Sequence, residues 1–270
     1  MPREHFDIAV VMVSYNKILD LPSVQRAIDA SPLRISFVLV DNASTELDAA
    51  VLAHTHMRRP LVIQRDGNYG MGASLNRGVE EVSADYYFFL NPDTSIGDLA
   101  VFDKLYAFMR AHPRTGIAAP RLRYLDGRLQ ETCRRFPAWF MPFAQRTNWL
   151  GAFSARYARR FLMCDYDHER PRMVDWVQGS ALMISADLFR ELGGFDRRFF
   201  MYFEDTDLCR QCWERCRPVY YVPHAEILHL YGKASDKEKG LLANFFFNPM
   251  ARAHIASWMK YALKWAGKRI

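Results

Sequence analysis

Short apolar runs separated by longer amphipathic stretches recur through the first 120 residues of the chain. The runs 8–13, 37–40, 61–63, 86–90 and 116–119 read as strands, with helical patterns between them. Near-continuous apolar strands joined through helices predict an α/β fold, a mostly parallel central sheet flanked by helices on both faces. Ligands of such sheets bind beyond the carboxyl ends of the strands, so the residues after each run are the first candidates for chemistry. These are Ser14-Tyr15-Asn16, Asp41-Asn42-Ala43-Ser44, Asp66-Gly67-Asn68 and Asn91-Pro92-Asp93. Asn, Asp, Gly and Pro are ordinary turn formers loop by loop. Aspartates recurring on one edge call for a further reason.

From Arg121 the pattern changes. Asp126-Gly127 signals a hairpin turn, and residues 133–161 are dense in Arg, Phe and Trp with poor periodicity. Order returns in a strand-like run over 174–184, a helix over 186–192 ended by Gly193-Gly194, and a helix over 205–215 behind the aromatic approach 199–203. The tail 251–270 is amphipathic, with Lys260, Lys264 and Lys268 in an i, i+4 stripe. Two alternatives stand for it: a helix lying on an anionic membrane surface, or a terminal helix docked on its own domain with a solvated lysine face. Three parts are expected, 1–120, 121–235 and 236–270.

A chain of 270 residues, half of them hydrophobic, can bury a sizeable core. No apolar stretch reaches the ~20 residues of a membrane-spanning helix, and the first residues lack the pattern of a secretory signal, so the expected location is cytoplasmic. The five cysteines are odd in number and expected to be reduced. Cys209, Cys212 and Cys216 follow helical spacing and predict core packing on one helix face, since a zinc site needs a fourth ligand. A formal charge of +6 suits phosphorylated ligands or an anionic membrane surface; without a zinc-finger spacing or an RNA-binding aromatic signature, nucleic acid is not expected as a partner.

Three motifs and one histidine carry candidate chemistry. Asn68-Tyr69-Gly70-Met71-Gly72 leads into Asn76 and Gly78 at the start of a helical pattern, where backbone amides stabilise phosphate. A dinucleotide fingerprint would have a third glycine where Leu75 stands, which argues against an NAD enzyme. Asp93 ends a very apolar strand, where a divalent cation bridging a diphosphate would satisfy its carboxylate; a turn or helix cap is the simpler alternative. Glu204-Asp205-Thr206-Asp207 presents acids at a helix start, as caps or as a general base for an acceptor hydroxyl. His229, following the run 219–222, is a candidate to complete a cation's shell with Asp93.

Together these residues resemble the inverting family 2 glycosyltransferases of GT-A fold, over residues 8 to about 235. Val-Ser-Tyr-Asn at 13–16, Val-Asp-Asn-Ala-Ser at 40–44, the glycine-asparagine pattern at 68–78 and Leu-Asn-Pro-Asp at 90–93 are similar to the family's nucleotide-binding half. Gly179-Ser180-Ala181, Gly193-Gly194-Phe195-Asp196 and Phe203-Glu204-Asp205 are similar to its acceptor half. The resemblance implies a nucleotide-sugar-binding part over 1–120, an acceptor and catalytic part over 121–235 and a C-terminal helical tail over 236–270. Ser14, Tyr15, Asn16, Asp41, Asn68, Gly70, Gly72, Asn76, Asn91 and Asp93 would bind the donor, with Tyr15 and Asp41 on the base. Gly179, Ser180 and Glu204 would lie on the acceptor side, Asp205 would be the base, and Asp93 with His229 would hold Mg²⁺ or Mn²⁺. Asn91 stands where many members have the first aspartate of the Asp-x-Asp motif. The Leu-Asn-Pro-Asp form resembles the rhamnosyltransferase branch, which implies a dTDP- or UDP-linked donor, dTDP-L-rhamnose first, and a lipid-linked saccharide acceptor in cell-surface polysaccharide or O-antigen synthesis at the cytoplasmic face of the inner membrane.

Two rivals remain. A sugar nucleotidyltransferase would need a basic glycine-rich loop after the first strand, where this chain has Ser14-Tyr15-Asn16. A catalytically silent sugar- or membrane-binding protein of the same fold would not need Asp41, Asp93 and Asp205 together.

Overall fold

Branched and aromatic residues fill β1 (His5–Ser14), β2 (Ile35–Asp41), β3 (Leu61–Gln64) and β4 (Ser83–Leu90). Such residues suit a sheet covered on both faces. The computed structural model, which describes residues 4–45, 49–137, 151–230 and 249–268, sets these strands parallel in the order β3-β2-β1-β4. Alternate side chains go to opposite cores. Val11, Val13, Val38 and Val40 meet Leu75 and Phe89 on one face, and Val10, Met12 and Leu39 meet Phe88 and Leu105 on the other. Helices α1 (Leu21–Ala30) and α2 (Ala49–His56) cover the second face, α3 (Met71–Val79) covers the first, and α4 (Val101–Ala111) returns to the second.

The later strands are β5 (Thr94–Ser95), β6 (Ile117–Arg123), β7 (Leu129–Gln130), β8 (Cys133–Arg134), β9 (Arg172–Val174), β10 (Trp176–Val177), β11 (Ala181–Ser185) and β12 (Val219–His229). β11 lies antiparallel between β4 and β6, and β12 runs parallel to β6. Two reversals restore direction. The C-terminal ends of β1, β2, β4, β6 and β12 therefore share one edge with the N-terminal end of β11. β6 spans the expected division at 120, and the sheet is continuous across it. The remaining helices are α5 (Gly151–Phe161), α6 (Ala186–Glu191), α7 (Glu204–Glu214) and α8 (Pro249–Lys264). No helix among the described residues is long and apolar enough to cross a membrane.

Three expectations are corrected. The run 174–184 is not one strand: β9 pairs with β12, β10 pairs with β8, and Gln178-Gly179-Ser180 break away before β11. The break has a cause, since the Gly179 amide is bonded to Asp205. Of the three spaced cysteines, Cys209 and Cys212 are buried in the core but Cys216 is exposed beyond the end of α7 at φ 54°, so the packing face holds two, not three. The strand ending near His229 does not stop at 222, because β12 passes an irregularity between Val222 and Glu226 and carries on.

The tail is docked on its own domain: Lys260 and Lys268 are exposed, as a solvated lysine face requires, but Lys264 between them is turned inward. Tyr261 and Trp265 are buried. Lys264 Nζ donates to Asp207 at 2.7 Å and Asp196 at 2.8 Å, Trp265 Nε1 donates to Asp207 at 2.8 Å, and Lys260 Nζ donates to the Arg198 carbonyl at 2.7 Å. Met259 and Leu263 face outward as well. Residues 138–150 of the irregular region, and 236–248 and 269–270 of the tail, lie outside the described residues. Asp207 is fully buried, and removing one partner of a buried pair leaves an uncompensated charge. Lys264→Met should therefore lower the unfolding free energy by about 3–5 kcal/mol, measured as a fall in the denaturant midpoint; a loss under about 1 kcal/mol would show that the pair holds little.

Candidate active site

The polar residues on the shared edge are stitched to one another. The loop after β1 meets the loop after β2 where Asn16 N donates to Ser44 Oγ at 2.9 Å and Thr45 N donates to Asn16 Oδ1 at 2.6 Å. Asp41 Oδ1 accepts from the Ser44 amide at 3.2 Å and its hydroxyl at 2.5 Å. Asn42, almost fully buried, links onward to the loop after β3, donating to Asn68 Oδ1 at 2.8 Å and accepting from the Tyr69 amide at 3.1 Å. The loop after β4 joins through Leu19 N, which donates to the Pro92 carbonyl at 2.9 Å. Ser14 is buried and bonds the Lys17 carbonyl, whereas Tyr15 stands half exposed on the rim.

Asp93 meets His229 across the sheet. β5 pairs with the end of β12, the Leu230 amide donates to the Asp93 carbonyl at 2.7 Å, and His229 Nε2 lies 3.2 Å from Asp93 Oδ1. His229 Nδ1 is 2.8 Å from Gln130 Oε1, and Lys17 Nζ is 4.0 Å from Asp93 Oδ2. Burial pushes the Asp93 carboxyl up, but the His229 hydrogen bond, the His229 charge and Lys17 together outweigh it and hold the group below the ordinary carboxylate range. One carboxylate and one imidazole meeting at a rim form a donor set that suits a divalent cation sharing diphosphate oxygens and water. Among the described residues no group of three or more His, Cys, Asp and Glu side chains could hold a metal, so two protein donors are what this edge offers.

A short covalent and hydrogen-bonded path leads from Asp93 to Asp205. Asn91 bonds Ser180, backbone to backbone at 2.9 Å and amide to hydroxyl at 3.4 Å. Next to Ser180, the Gly179 amide donates to Asp205 Oδ2 at 2.8 Å. A Cβ on Gly179 would sit 3.1 Å from that of Asp205, which is why a glycine suits the position. The Thr206 amide donates to Asp205 Oδ1 at 2.6 Å. Burial raises the Asp205 carboxyl against these donors and the Arg134 charge. Glu204 is pushed up to about 8 by burial and by the charge of Asp205, and its Oε2 is buried without a hydrogen-bond partner.

The glycine-rich motif is used differently from the sequence expectation. Asn76 is buried with both ends of its amide on Phe195, donating to the carbonyl at 2.8 Å and accepting from the amide at 2.9 Å. Met71 N donates to the Phe200 carbonyl at 3.0 Å. A Cβ on Gly70, which has φ 83°, would overlap that carbonyl oxygen, and one on Gly72 would lie 2.9 Å from Phe195 Cβ. Gly70, Gly72 and Asn76 thus lock the 68–78 segment to residues 194–204. At the start of α3 the Met71 amide is already taken by that carbonyl.

Lys17, Gln130 and Arg134 belong to this neighbourhood and escaped the sequence reading, since each is a lone polar residue with no spacing to mark it. With the geometry in place, the sequence model of glycosyl transferase family 2 matches residues 9–164. The chain belongs to this family. A relative from Mycobacterium tuberculosis (strain H37Rv), N-acetylglucosaminyl-diphospho-decaprenol L-rhamnosyltransferase, is 28% identical over 96% of this chain and 88% of its own length. Rhamnosyltransferase WbbL of Escherichia coli (strain K12) is 28% identical over 76% of this chain and 73% of its own. Among solved structures, GalNAc-T7 with UDP, GalNAc and Mn²⁺ has a TM-score of 0.63 at 15% identity; the match covers 97% of this chain and 48% of that one, so the chain spans about half its length. The mannosyltransferase PcManGT from Pyrobaculum calidifontis, with GDP-Man and Mn²⁺, has a TM-score of 0.56 at 14% identity, covering 100% of this chain and 78% of that one. The fold is GT-A, and the family 2 chain is a glycosyltransferase.

The raised Glu204 group makes a testable demand on stability. Between its ordinary value of 4.5 and about 8 the folded chain binds a proton that the unfolded chain has released, so stability falls as pH rises through that window. Glu204→Gln should flatten this slope in denaturant midpoints taken from pH 5 to 8, values chosen to bracket it roughly. An unchanged slope would show that Glu204 ionises normally in the folded chain.

Proposed function

We propose that this family 2 glycosyltransferase transfers L-rhamnose, with inversion, from dTDP-L-rhamnose to a hydroxyl of a diphospho-lipid-linked saccharide. The observation that carries the chemistry is the path Asp93, Asn91, Ser180, Gly179, Asp205, which sets a cation pair and a half-buried carboxylate base on one edge. The choice of sugar and acceptor is supported by the relative from Mycobacterium tuberculosis, whose 28% identity extends over 96% of this chain.

Tyr15 and Asp41 receive the nucleobase; Asp41 Oδ1 is taken by Ser44, which leaves Oδ2 for a base N–H. Asp93 and His229 would hold Mg²⁺ or Mn²⁺, which when bound would supply positive charge to the departing diphosphate. Lys17 adds a fixed positive charge at the same corner. Asp205, oriented by the Gly179 and Thr206 amides and raised by burial, accepts the proton of the acceptor hydroxyl. As that proton leaves, the hydroxyl oxygen bonds the anomeric carbon from the side opposite the diphosphate. The carbon–oxygen bond to the diphosphate breaks, dTDP departs, and configuration inverts.

The donor is tested by a thermal-shift screen of nucleotide-sugars with and without Mg²⁺ or Mn²⁺, since a ligand that binds only the folded chain raises the midpoint. dTDP-L-rhamnose with metal should give the largest rise; a larger rise with a UDP- or GDP-linked sugar would overturn the donor. Asp205→Asn should keep that shift yet lower kcat by about 10²-fold or more, as loss of a positioned base does. Near-normal turnover would remove Asp205 from the mechanism.

Membrane contact belongs to the same reading. Met259 and Leu263 lie one turn apart on the outer side of α8, Leu263 79% exposed, with Arg252 also exposed. Met259→Ser with Leu263→Ser should reduce sedimentation with vesicles containing anionic lipid while leaving transfer to a short water-soluble acceptor intact. Equal sedimentation would take α8 out of the contact.

A further inference from the structure

We propose that Gln130 is a positioning residue that fixes the tautomer of His229 and so turns its Nε2 lone pair toward a divalent cation shared with Asp93. The inference rests on the cation pair proposed above and goes beyond it by assigning the group that makes the imidazole a ligand. Gln130 is almost fully buried, as is His229, and its Oε1 lies 2.8 Å from Nδ1.

The chain builds a dedicated hairpin to bring it there. Gly127, at φ 81°, turns β6 back into β7, a strand of two residues, and Gln130 is its last. β6 runs between the two partners, with Leu122 opposite Gln130 on one side and Ile227 of β12 on the other. Around this turn Arg123 also bonds the Gly127 carbonyl at 2.9 Å and Glu226 at 2.8 Å, so the hairpin is tied to β12 by side chains as well as through the sheet.

The chemistry follows from the two nitrogens of a neutral imidazole, one a donor and the other an acceptor. An ionised Asp93 offers only lone pairs. Were the proton on Nε2, the ring would donate to Asp93 at 3.2 Å and have no lone pair left on that side for a cation. Once a cation occupies the Asp93 side, a carbonyl oxygen at Nδ1 favours the other tautomer, because Nδ1–H then has a buried acceptor, and it raises the basicity of the nitrogen that would face the metal. Glutamine does this without adding a second negative charge beside Asp93.

The test uses the full chain and Mn²⁺ in the presence of dTDP, with free Mn²⁺ followed by electron paramagnetic resonance. Gln130→Leu should weaken Mn²⁺ binding about 10–100-fold, the usual effect of losing a partner behind a ligating histidine. Gln130→Glu, which keeps an acceptor at Nδ1, should stay within a few-fold of the unaltered chain, a rescue that a purely structural role would not give. If the unaltered chain binds no Mn²⁺ beyond dTDP alone, the cation pair and the role of Gln130 both fall. If it binds and Gln130→Leu binds equally well, only Gln130 falls. Long-range ¹H–¹⁵N spectra of the unaltered, Mg²⁺-loaded chain give an independent reading that needs no variant: Nδ1–H at His229 is expected, and Nε2–H would overturn the proposal.

Discussion

The direction of one strand governs the layout of the site. β11 enters antiparallel between β4 and β6, so its first residue, not its last, reaches the edge where β1, β2 and β4 end. That brings Gln178, Gly179 and Ser180, which precede β11, beside Asn91 at the end of β4. The same reversal makes β6 and then β12 run with β4, so His229 at the end of β12 arrives at the edge that carries Asp93. In a wholly parallel sheet each strand would offer the edge only the loop that follows it. Here the edge also receives a segment lying before a strand, and its free amide at Gly179 is what holds Asp205.

Two aspartates two residues apart on α7 show how burial is turned to different ends. Asp207 is fully buried and saturated, with Trp265 on one oxygen and Lys264 and Gln211 on the other. A carboxylate so occupied anchors the helix and has nothing left to offer a ligand. Asp205 is only half buried and is held by neutral donors, the Gly179 amide and the amide and hydroxyl of Thr206. Neutral donors orient a carboxylate while neutralising less of its charge than an ammonium group would, so basicity survives.

The sheet and the edge on which its polar loops gather were legible because apolar runs with polar ends are a direct imprint of strands buried on both faces. Asp93 and Asp205 stood out for a related reason: an acid beside a run such as 86–90 or 199–203 needs an explanation that packing does not supply. The glycines at 70 and 72 were ambiguous because a glycine required by a close protein neighbour has the same sequence appearance as one required by phosphate. Only the position of Phe195 and Phe200, more than 120 residues away, separates the two cases. Gln130 was invisible because its partner is 99 residues distant and its own strand is two residues long. The break at Gln178–Ser180 was hidden within a run of strand-forming residues.

Strain on this edge also explains why a terminal helix beyond the 9–164 family match matters to the site. Asn16, Ala43, Tyr202 and Phe203 all have φ between 55° and 67°, a region that side chains other than glycine's avoid, and each belongs to a loop of the edge or the approach to Asp205. Such conformations cost about 1–3 kcal/mol each and persist only where the surroundings over-determine them. For Asn16 the surroundings are the bonds to Ser44 and Thr45. For Tyr202 and Phe203 they come from α8: the His254 ring packs edge-on against both, and Ser257 Oγ donates to the Met201 carbonyl at 2.8 Å. Since Phe203 immediately precedes Glu204 at the start of α7, the helix that clamps this turn also fixes the angle at which α7 presents Asp205. Of the lysines of α8, Lys264 turns inward to hold Asp207, while Lys260, itself exposed, bonds the Arg198 carbonyl ahead of the same turn.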